Sequence, residues 1–164
     1  MIQVAIITVS DSAANGTRED RSGPKLRERV EALGWAVCNY QIVSDESDEI
    51  STVLRRLADS GEAAVILTTG GTGVALRDVT PEATRTVIER EIPGLSEVMR
   101  AEGRKLTPFA ALARGLAGVR GRSLIVNLPG SPKGAVESLD AIAKLIPHVV
   151  DLLEGRTAHA DVPN

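Results

Sequence analysis

Short apolar runs rich in β-branched residues alternate with segments of helical periodicity along the N-terminal half of this chain. The first helical segment has Pro24 in its opening turn and Gly34 at its end, and the second ends at Gly61. Strands that alternate with helices at such spacings predict a mainly parallel sheet with right-handed crossovers and helices on both faces. The predicted strands are residues 2–9, 36–43 and 64–69.

A helical insert follows the third strand. Thr80-Pro81-Glu82 is typical of a helix start, with Thr80 as the capping residue, and the helix is expected to run to Glu91. Further helices are predicted from Leu95 to Lys105 and from Pro108 to Arg114. The insert therefore separates the third strand from the fourth.

The C-terminal part predicts a hairpin and a long helix. Residues 116–119 and 123–128 flank a tight turn, which indicates an antiparallel edge on the sheet. The last helix is expected over residues 133–153, with a kink at Pro147. The predicted fold class is thus α/β, with three layers in the order α/β/α and a mainly parallel sheet that has an antiparallel edge.

The composition supports a single core and narrows the class of partner. Of 164 residues, 43% are hydrophobic but only 2% are aromatic, so Val, Ile, Leu and Ala must form one core. One domain over residues 1–155 and a C-terminal tail over residues 156–164 are predicted. A net charge of −3 without a basic stripe argues against nucleic acid, and no apolar run suits a membrane span. We expect a cytoplasmic protein with a small-molecule ligand.

Three further residues are expected to have ordinary roles. Cys38 is the single cysteine and lies among strand residues, which predicts a small buried group. His148 and His159 have no companion at zinc-ligand spacing, so no zinc site is expected.

Ligands of open parallel sheets bind where the strands end and the loops separate. Four loops are expected at that edge, namely residues 10–21, 44–47, 68–81 and 127–133. The strongest feature among them is the turn Thr68-Thr69-Gly70-Gly71-Thr72-Gly73. Its glycines permit positive φ and let amides converge on an anion, while its threonines add hydroxyl donors. The alternative is a tight turn between strand and helix with no ligand.

Aspartates follow the first three predicted strands. Asp78 would lie beside the glycine turn, where a carboxylate near phosphate makes sense if Mg²⁺ lies between them. Asp45 could approach the same crevice, but helix capping is the favoured explanation of either residue taken alone. Asp11 has the same choice between a ligand contact and an Asx-turn. Arg77 could bind phosphate or pair with a surface acid.

The turn Asn127-Leu128-Pro129-Gly130-Ser131-Pro132 is a further candidate for anion binding. Ser131 precedes a predicted helix start, whose free amides suit phosphate, and Lys133 could supply a counter-charge. A rigid turn alone would also explain Pro129 and Pro132.

Taken together, these motifs resemble the Mog/MoaB family of molybdenum-cofactor proteins over nearly the whole chain. The resemblance implies a molybdopterin-binding fold, commonly trimeric, that transfers AMP from ATP to molybdopterin with Mg²⁺ and releases pyrophosphate. A separate protein would then insert molybdenum. The motifs that carry the resemblance are Val9-Ser10-Asp11, Ser44-Asp45-Glu46, the glycine turn, Arg77-Asp78-Val79-Thr80-Pro81-Glu82-Ala83 and the turn that begins at Asn127.

The resemblance also assigns roles to residues. Asp45 and Asp78 become the active-site carboxylates and the Mg²⁺ ligands. A carrier that binds molybdopterin without adenylylating it, or a scaffold of the same family, stays open as an alternative. The implied substrate and nucleotide contacts are Ser10, Asp11, Thr68, Thr69, Gly70, Gly71, Thr72, Gly73, Asn127, Pro129, Gly130, Ser131 and Pro132.

Overall fold

A computed structural model describes residues 1–156 of the chain. A six-stranded sheet in the order β2-β1-β3-β6-β5-β4 forms its centre. The strands are β1 (Gln3–Val9), β2 (Ala36–Val43), β3 (Val65–Thr69), β4 (Arg90–Glu91), β5 (Ala117–Arg120) and β6 (Ser123–Leu128). The helices are α1 (Asp11–Ala14), α2 (Ser22–Ala32), α3 (Ser47–Ser60), α4 (Thr80–Arg85), α5 (Pro93–Leu106), a 3₁₀ helix (Pro108–Leu112), α6 (Pro132–Ile142) and α7 (Ile146–Leu153).

The sheet is parallel through β2, β1, β3 and β6, and antiparallel from β6 through β5 to β4. Alternate side chains of each central strand enter two separate cores. Val4 and Ile6 of β1 pack with α2, α5, α6 and α7, whereas Ala5 and Ile7 pack with α3 and α4. Strands covered on both faces read as continuous apolar runs, as β1 and β3 do. The predicted three-layer α/β/α fold with an antiparallel edge is confirmed.

The helix predicted from Thr80 to Glu91 is wrong in its second half. Helix α4 ends at Arg85, and Arg90–Glu91 pairs with β5 as the edge strand. Glu89 N donates to Val119 O at 2.8 Å, and Ile92 N donates to Ala117 O at 2.8 Å. β-Branched residues after Arg85 weaken the helix, and pairing with β5 satisfies the backbone groups that a longer helix would have used.

The single C-terminal helix predicted over residues 133–153 is two helices, α6 and α7. The helical conformation is interrupted at residues 143–145, and Pro147 lies in the first turn of α7 rather than at a kink. Proline lacks the amide that a continuous helix needs there, but its fixed φ suits a helix start.

The expectation that Cys38 is buried is wrong. Cys38 is exposed because β2 is the outermost strand of the parallel side of the sheet, where the helices cover it incompletely. Residues 157–164, with His159, lie outside the described residues, so the predicted division between a domain and a tail stays a prediction. Within residues 1–156, the helices are too short or too polar to cross a bilayer.

Asp20 ties the loop after β1 to the sheet and to α2. Its Oδ2 accepts hydrogen bonds from Thr8 Oγ1 at 2.6 Å and from the Tyr40 hydroxyl. Its Oδ1 accepts from Gly23 N at 3.1 Å and from Ser22 Oγ at 3.3 Å. Burial raises the pKa of Asp20, but these hydrogen bonds outweigh burial and hold the pKa below its usual value.

We expect Asp20→Asn to lower the free energy of unfolding by about 2 kcal/mol at pH 7, because bonds to a carboxylate are stronger than bonds to an amide. The folded pKa is depressed, so this stabilisation is present above the unfolded pKa and is lost as the pH falls through the folded pKa. Urea unfolding of both proteins from pH 7 to pH 3 should therefore show a shrinking difference. A difference that stays constant over this range would contradict the prediction.

Candidate functional site

The four loops that follow the parallel strands meet at one edge of the sheet, as the sequence predicts. Ser10 N donates to Val43 O at 2.9 Å and joins the ends of β1 and β2. Gly70 N donates to Leu128 O at 3.2 Å, and Thr69 Oγ1 donates to Pro129 O at 2.7 Å. These bonds place the glycine turn (residues 68–73) between the loops of β1 and β2 on one side and that of β6 on the other.

Two of the three glycines in the glycine turn adopt positive φ. Gly70 has φ +106° and Gly71 has φ +67°, and a Cβ on either would collide with Val9 O or the Thr80 hydroxyl, respectively. Gly73 has no positive φ, yet a Cβ there would lie 2.8 Å from Asp78 Oδ2. The glycines are therefore required by close approach as well as by backbone conformation.

The predicted threonine donors of the glycine turn divide into two groups. Thr68 and Thr69 are fully buried, and their hydroxyls bond to Asn127 and Pro129. Thr72 lies on the wall of a cavity beside the turn. The hydroxyls of Thr68 and Thr69 thus hold the loops together rather than face a ligand.

Thr80 bonds to the backbone of the glycine turn and does not cap helix α4. Its hydroxyl donates to Gly70 O at 2.9 Å, and its amide donates to Gly71 O at 3.1 Å. The expectation that Thr80 caps the helix is wrong, since Val79 occupies the cap position. The start of α4 is thereby fixed against the turn.

Asp11 and Asp45 bind each other's backbone. Asp11 N donates to Asp45 Oδ2 at 2.8 Å, and Asp45 N donates to Asp11 Oδ1 at 3.0 Å. Asp45 does not cap α3 and Asp11 does not form an Asx-turn, because their bonds join two different loops. The reciprocal pair fixes the β1 and β2 loops relative to each other.

The two carboxylates have opposite electrostatic environments. Burial raises the pKa of Asp45, and the charges of Asp11 and Asp78 raise it further against the opposing effects of the Asp11 amide and Arg77. The hydrogen bonds from Arg77 hold the pKa of Asp11 below its usual value. Of the two carboxylates, Asp45 therefore has the less favourable surroundings for a negative charge.

Arg77 pairs with acids in this structure. Its Nε lies 2.5 Å from Asp11 Oδ2, and its Nη2 lies 2.7 Å from Glu46 Oε1. The guanidinium links the loops after β1, β2 and β3 across the top of the crevice. It also leaves Asp45 without a direct bond to this cation.

Asp45 and Asp78 lie against the same glycine turn. A Cβ on Gly71 would lie 3.2 Å from Asp45 Oδ1, and one on Gly73 would lie 2.8 Å from Asp78 Oδ2. Asp78 Oδ2 accepts from Ala75 N at 3.0 Å, so this carboxylate closes its own loop rather than capping α4. In the described part of the chain, no three His, Cys, Asp or Glu side chains form a ready-made metal cluster. The turn thus brings together a pair of carboxylates.

A cavity of about 320 Å³ opens on the other side of the glycine turn. The predicted residues Thr72, Gly73, Asn127, Pro129, Gly130 and Ser131 form one wall. The opposite wall comes from α5 and the 3₁₀ helix, to which the sequence argument gave no function. Two sequence features could have indicated this wall, namely a glycine inside a helix, Gly103, and an aromatic residue on a short apolar segment, Phe109. This wall includes Ser96, Met99, Arg100, Gly103, Thr107, Phe109, Ala110, Leu112 and Ala113.

The start of α6 faces the cavity. Ser131 Oγ accepts from Gly134 N at 3.1 Å, and Pro132 occupies the first turn of the helix. Ser131 therefore caps the helix, while the cavity takes in Gly130, Ser131 and Gly134. Lys133 is well exposed and lies 3.7 Å from Glu137 Oε1.

Asn127 is a structural junction. Its Nδ2 donates to Thr68 Oγ1 at 3.0 Å and to Thr84 Oγ1 at 2.9 Å, and its Oδ1 accepts from Leu116 N at 3.2 Å. The side chain is only 1% exposed, so its amide is fully occupied by the protein. The part of Asn127 available to a ligand is small.

Arg114 is a positioning residue that the sequence argument missed. Its Nε donates to Gly73 O at 2.7 Å, its Nη2 donates to Asp78 O at 2.7 Å, and its Nη1 pairs with Glu82. Arg114 N also donates to Thr72 O at 2.8 Å. One guanidinium thus clamps both ends of the segment that carries Asp78. A lone arginine after an apolar run offered no signal of this role.

The chain is similar to known proteins along nearly its whole length. Residues 5–148 match the family described as "Probable molybdopterin binding domain". A molybdopterin adenylyltransferase of Helicobacter pylori strain J99 is 41% identical over 165 residues, which cover 99% of this chain and 94% of that protein. The Escherichia coli K12 protein of the same name is 34% identical over 94% of this chain and 86% of its own length.

A solved structure extends the likeness to the backbone. The molybdopterin biosynthesis enzyme MoaB from Thermus thermophilus superposes with a TM-score of 0.89 at 52% identity. The alignment covers 94% of this chain and 98% of that one.

We expect Asn127→Ala to lower the free energy of unfolding by about 3 kcal/mol, because it leaves the buried amide of Leu116 and the buried hydroxyl of Thr68 without partners. The Thr84 hydroxyl loses one bond but still donates to Thr80 O. Asn127→Asp keeps an acceptor for Leu116 N and should cost less at acidic pH than at neutral pH. Chemical denaturation measures both, with the exposed Asn15→Ala as the control. Wild-type stability in Asn127→Ala would contradict the assigned role.

We expect Arg114→Ala to speed amide hydrogen exchange in residues 73–78 by about ten-fold, since two charge-assisted bonds to carbonyls are lost. Arg114→Lys can replace only part of the three-way contact and should be intermediate. Mass spectrometry of peptic fragments measures the exchange. Arg104→Ala, an exposed arginine on α5, is the control. Equal exchange rates in the wild type and in Arg114→Ala would contradict the role of Arg114 in holding this segment.

Proposed function

This chain belongs to the molybdopterin-binding family that matches residues 5–148, and from that premise we propose that it is a molybdopterin adenylyltransferase. It transfers AMP from ATP to molybdopterin and releases pyrophosphate, a step in molybdenum-cofactor biosynthesis. The supporting observation is that Asp45 and Asp78 lie against one glycine turn whose far side borders a ligand-sized cavity. Relatives named as adenylyltransferases over nearly the whole chain favour the enzyme over a carrier or scaffold.

The proposed reaction suits a site without a general base. An oxygen of the terminal phosphate of molybdopterin, already ionised at neutral pH, attacks the α-phosphorus of ATP. A new phosphorus–oxygen bond forms, the bond from the α-phosphorus to the bridging oxygen breaks, and pyrophosphate leaves with that electron pair. No proton has to be removed from the nucleophile. The protein must instead align two anions and offset their repulsion.

Mg²⁺ fits the donor set formed by Asp45 and Asp78. Asp45 is partly buried, its pKa is raised by burial and by neighbouring carboxylates, and Arg77 is bonded to Asp11 and Glu46 instead. Two carboxylates with room for water and phosphate oxygens are typical of Mg²⁺ sites. When bound, the ion neutralises charge on the reacting phosphates. The carboxylates of Asp45 and Asp78 would hold it.

The remaining proposed substrate contacts lie at the same edge of the sheet. In this proposal the glycine turn and the start of α6 contact the phosphates, and the cavity receives a flat ring. Ser10 and Asp11 line the approach from the β1 loop. A homotrimer in the cytoplasm that passes its product to a molybdenum-insertion protein completes the proposal, and this part rests on the family resemblance alone.

The direct test incubates the protein with ATP, MgCl₂ and molybdopterin. We expect stoichiometric pyrophosphate and adenylylated molybdopterin, both absent when any one component is omitted. Binding of molybdopterin without pyrophosphate release would instead identify a carrier. Binding of neither substrate would point to a scaffold and refute the proposal.

We expect Asp45→Asn and Asp78→Asn each to lower kcat by on the order of 100-fold, since an amide cannot offset the charge of a metal ion. Thermal unfolding should change little, because an asparagine oxygen can still accept the bonds from Asp11 N or Ala75 N. Asp48→Asn, in the exposed first turn of α3, is the matched control and should keep wild-type turnover. A fully active Asp78→Asn protein would remove that residue from the mechanism.

A further inference from the structure

Ser96 has a hydroxyl that the fold does not use. Within residues 1–156, Ser96 Oγ is the one fully buried side-chain polar atom without a hydrogen-bond partner, and the residue is 3% exposed. A serine inside a helix commonly bonds back to a carbonyl of the preceding turn. Ser51 of α3 does so, donating to Asp48 O at 3.2 Å, whereas Ser96 of α5 does not. An unpaired buried hydroxyl destabilises a protein and needs an explanation.

The position of Ser96 supplies that explanation. Ser96 belongs to the lining of the cavity beside the glycine turn, on a wall that also includes Met99 and Gly103, and its hydroxyl lies just beneath the surface. The cavity surface is mainly apolar, so a hydroxyl that turns toward it about χ1 is a contact that fixes the orientation of a ligand. The hydroxyl can both donate and accept, which suits a ring edge with alternating donors and acceptors.

Charge around the cavity argues for a neutral ring rather than a phosphate chain. Arg100 lines the cavity and keeps its positive charge, with its Nη1 donating to Gly115 O at 3.3 Å. Glu137 lies on the same lining, and its negative charge offsets that of Arg100. The candidate phosphate-binding features, namely the glycine turn and the start of α6, form the wall that faces α5. A substrate would therefore place its phosphate against that wall and its ring toward Ser96.

We propose that Ser96 Oγ hydrogen-bonds the edge of a flat nitrogen heterocycle held in this cavity and thereby determines substrate affinity. The proposal rests on the proposed function, in which both substrates carry such a ring, the pterin of molybdopterin and the adenine of ATP. The cavity takes one of them, and the kinetics of the two substrates identify which. Ser96 remains unpaired until that ring arrives, so its role is recognition and not folding.

This role has a signature that a structural serine would not show. Removing an unpaired hydroxyl should leave the ligand-free protein as stable as before, or raise its Tm by about 2 °C. The same change should raise the KM of one substrate by about 5–10-fold with kcat within about two-fold, as expected for the loss of one hydrogen bond to a ring. Stability and affinity thus move in opposite directions.

The experiment compares Ser96→Ala with Ser51→Ala, a buried helical serine on the other face of the sheet. Thermal unfolding is measured without ligand, and KM is measured separately for molybdopterin under anaerobic conditions and for ATP. We expect Ser96→Ala to keep or raise Tm and to raise one KM, and Ser51→Ala to lower Tm and leave both KM values unchanged. A higher KM for molybdopterin places the pterin in the cavity, and a higher KM for ATP places the adenine there.

Two outcomes would overturn the inference about Ser96. If Ser96→Ala lowers Tm and leaves both KM values unchanged, the hydroxyl is satisfied by an ordered water and has a structural role. If Tm and both KM values are unchanged, the hydroxyl recognises neither ring.

Failure of the proposed function is recognised separately. If the wild type releases no pyrophosphate, calorimetric binding of molybdopterin and of α,β-methylene-ATP replaces the kinetics. Weaker binding of either probe to Ser96→Ala would keep the role of Ser96 without adenylyl transfer. Equal binding to wild type and variant, or binding of neither probe to the wild type, would refute it.

Discussion

The close approach of the backbone at Gly70 and Gly71 to the ends of the neighbouring strands is the constraint on which the site depends. Gly70 N bonds to Leu128 O, and a side chain at Gly70 would collide with Val9 O. The absence of side chains lets the loops after β1, β3 and β6 lie against one another. It also lets the carboxylates of Asp45 and Asp78 reach opposite parts of the turn. Bulkier residues would separate these elements.

The polar side chains near the glycine turn fall into two groups: those whose bonds are made within the protein and those that are incompletely satisfied. Asn127, Thr68 and Thr69 are buried and form bonds within the protein, and Arg114 clamps the loop that carries Asp78. Side chains locked by such contacts keep a site in its working geometry without rearrangement when substrate arrives. The residues that remain incompletely satisfied, Asp45 and Ser96, are then the ones with most to gain from a ligand.

The charged side chains near the candidate site form two groups. One group lies in the crevice between the loops after β1, β2 and β3, and the other lines the cavity. Arg77 bonds to the more exposed Asp11 and Glu46, whereas Asp45 is raised in pKa by burial and by the charges of Asp11 and Asp78, against a smaller opposing effect of Arg77. A carboxylate in such a position favours a cation over a proton when a cation is available. The cavity on the other side of the turn has a mainly apolar surface with one arginine and one glutamate on its lining, Arg100 and Glu137. Their opposite charges offset each other, which suits an uncharged ring.

The sequence by itself determined the layered α/β/α fold, its antiparallel edge, and the edge of the sheet at which the loops of the candidate site meet. These features follow from local periodicity and from glycine and proline positions, which act over a few residues. Only the tertiary structure decided that residues 90–91 form a strand, that Cys38 is exposed, and that α5 and the 3₁₀ helix wall the cavity. It alone showed that Asn127 is committed to internal bonds and that Arg114 holds the loop of Asp78. Pairing, edge position and hydrogen-bond partners join residues far apart in the chain, so no local pattern encodes them.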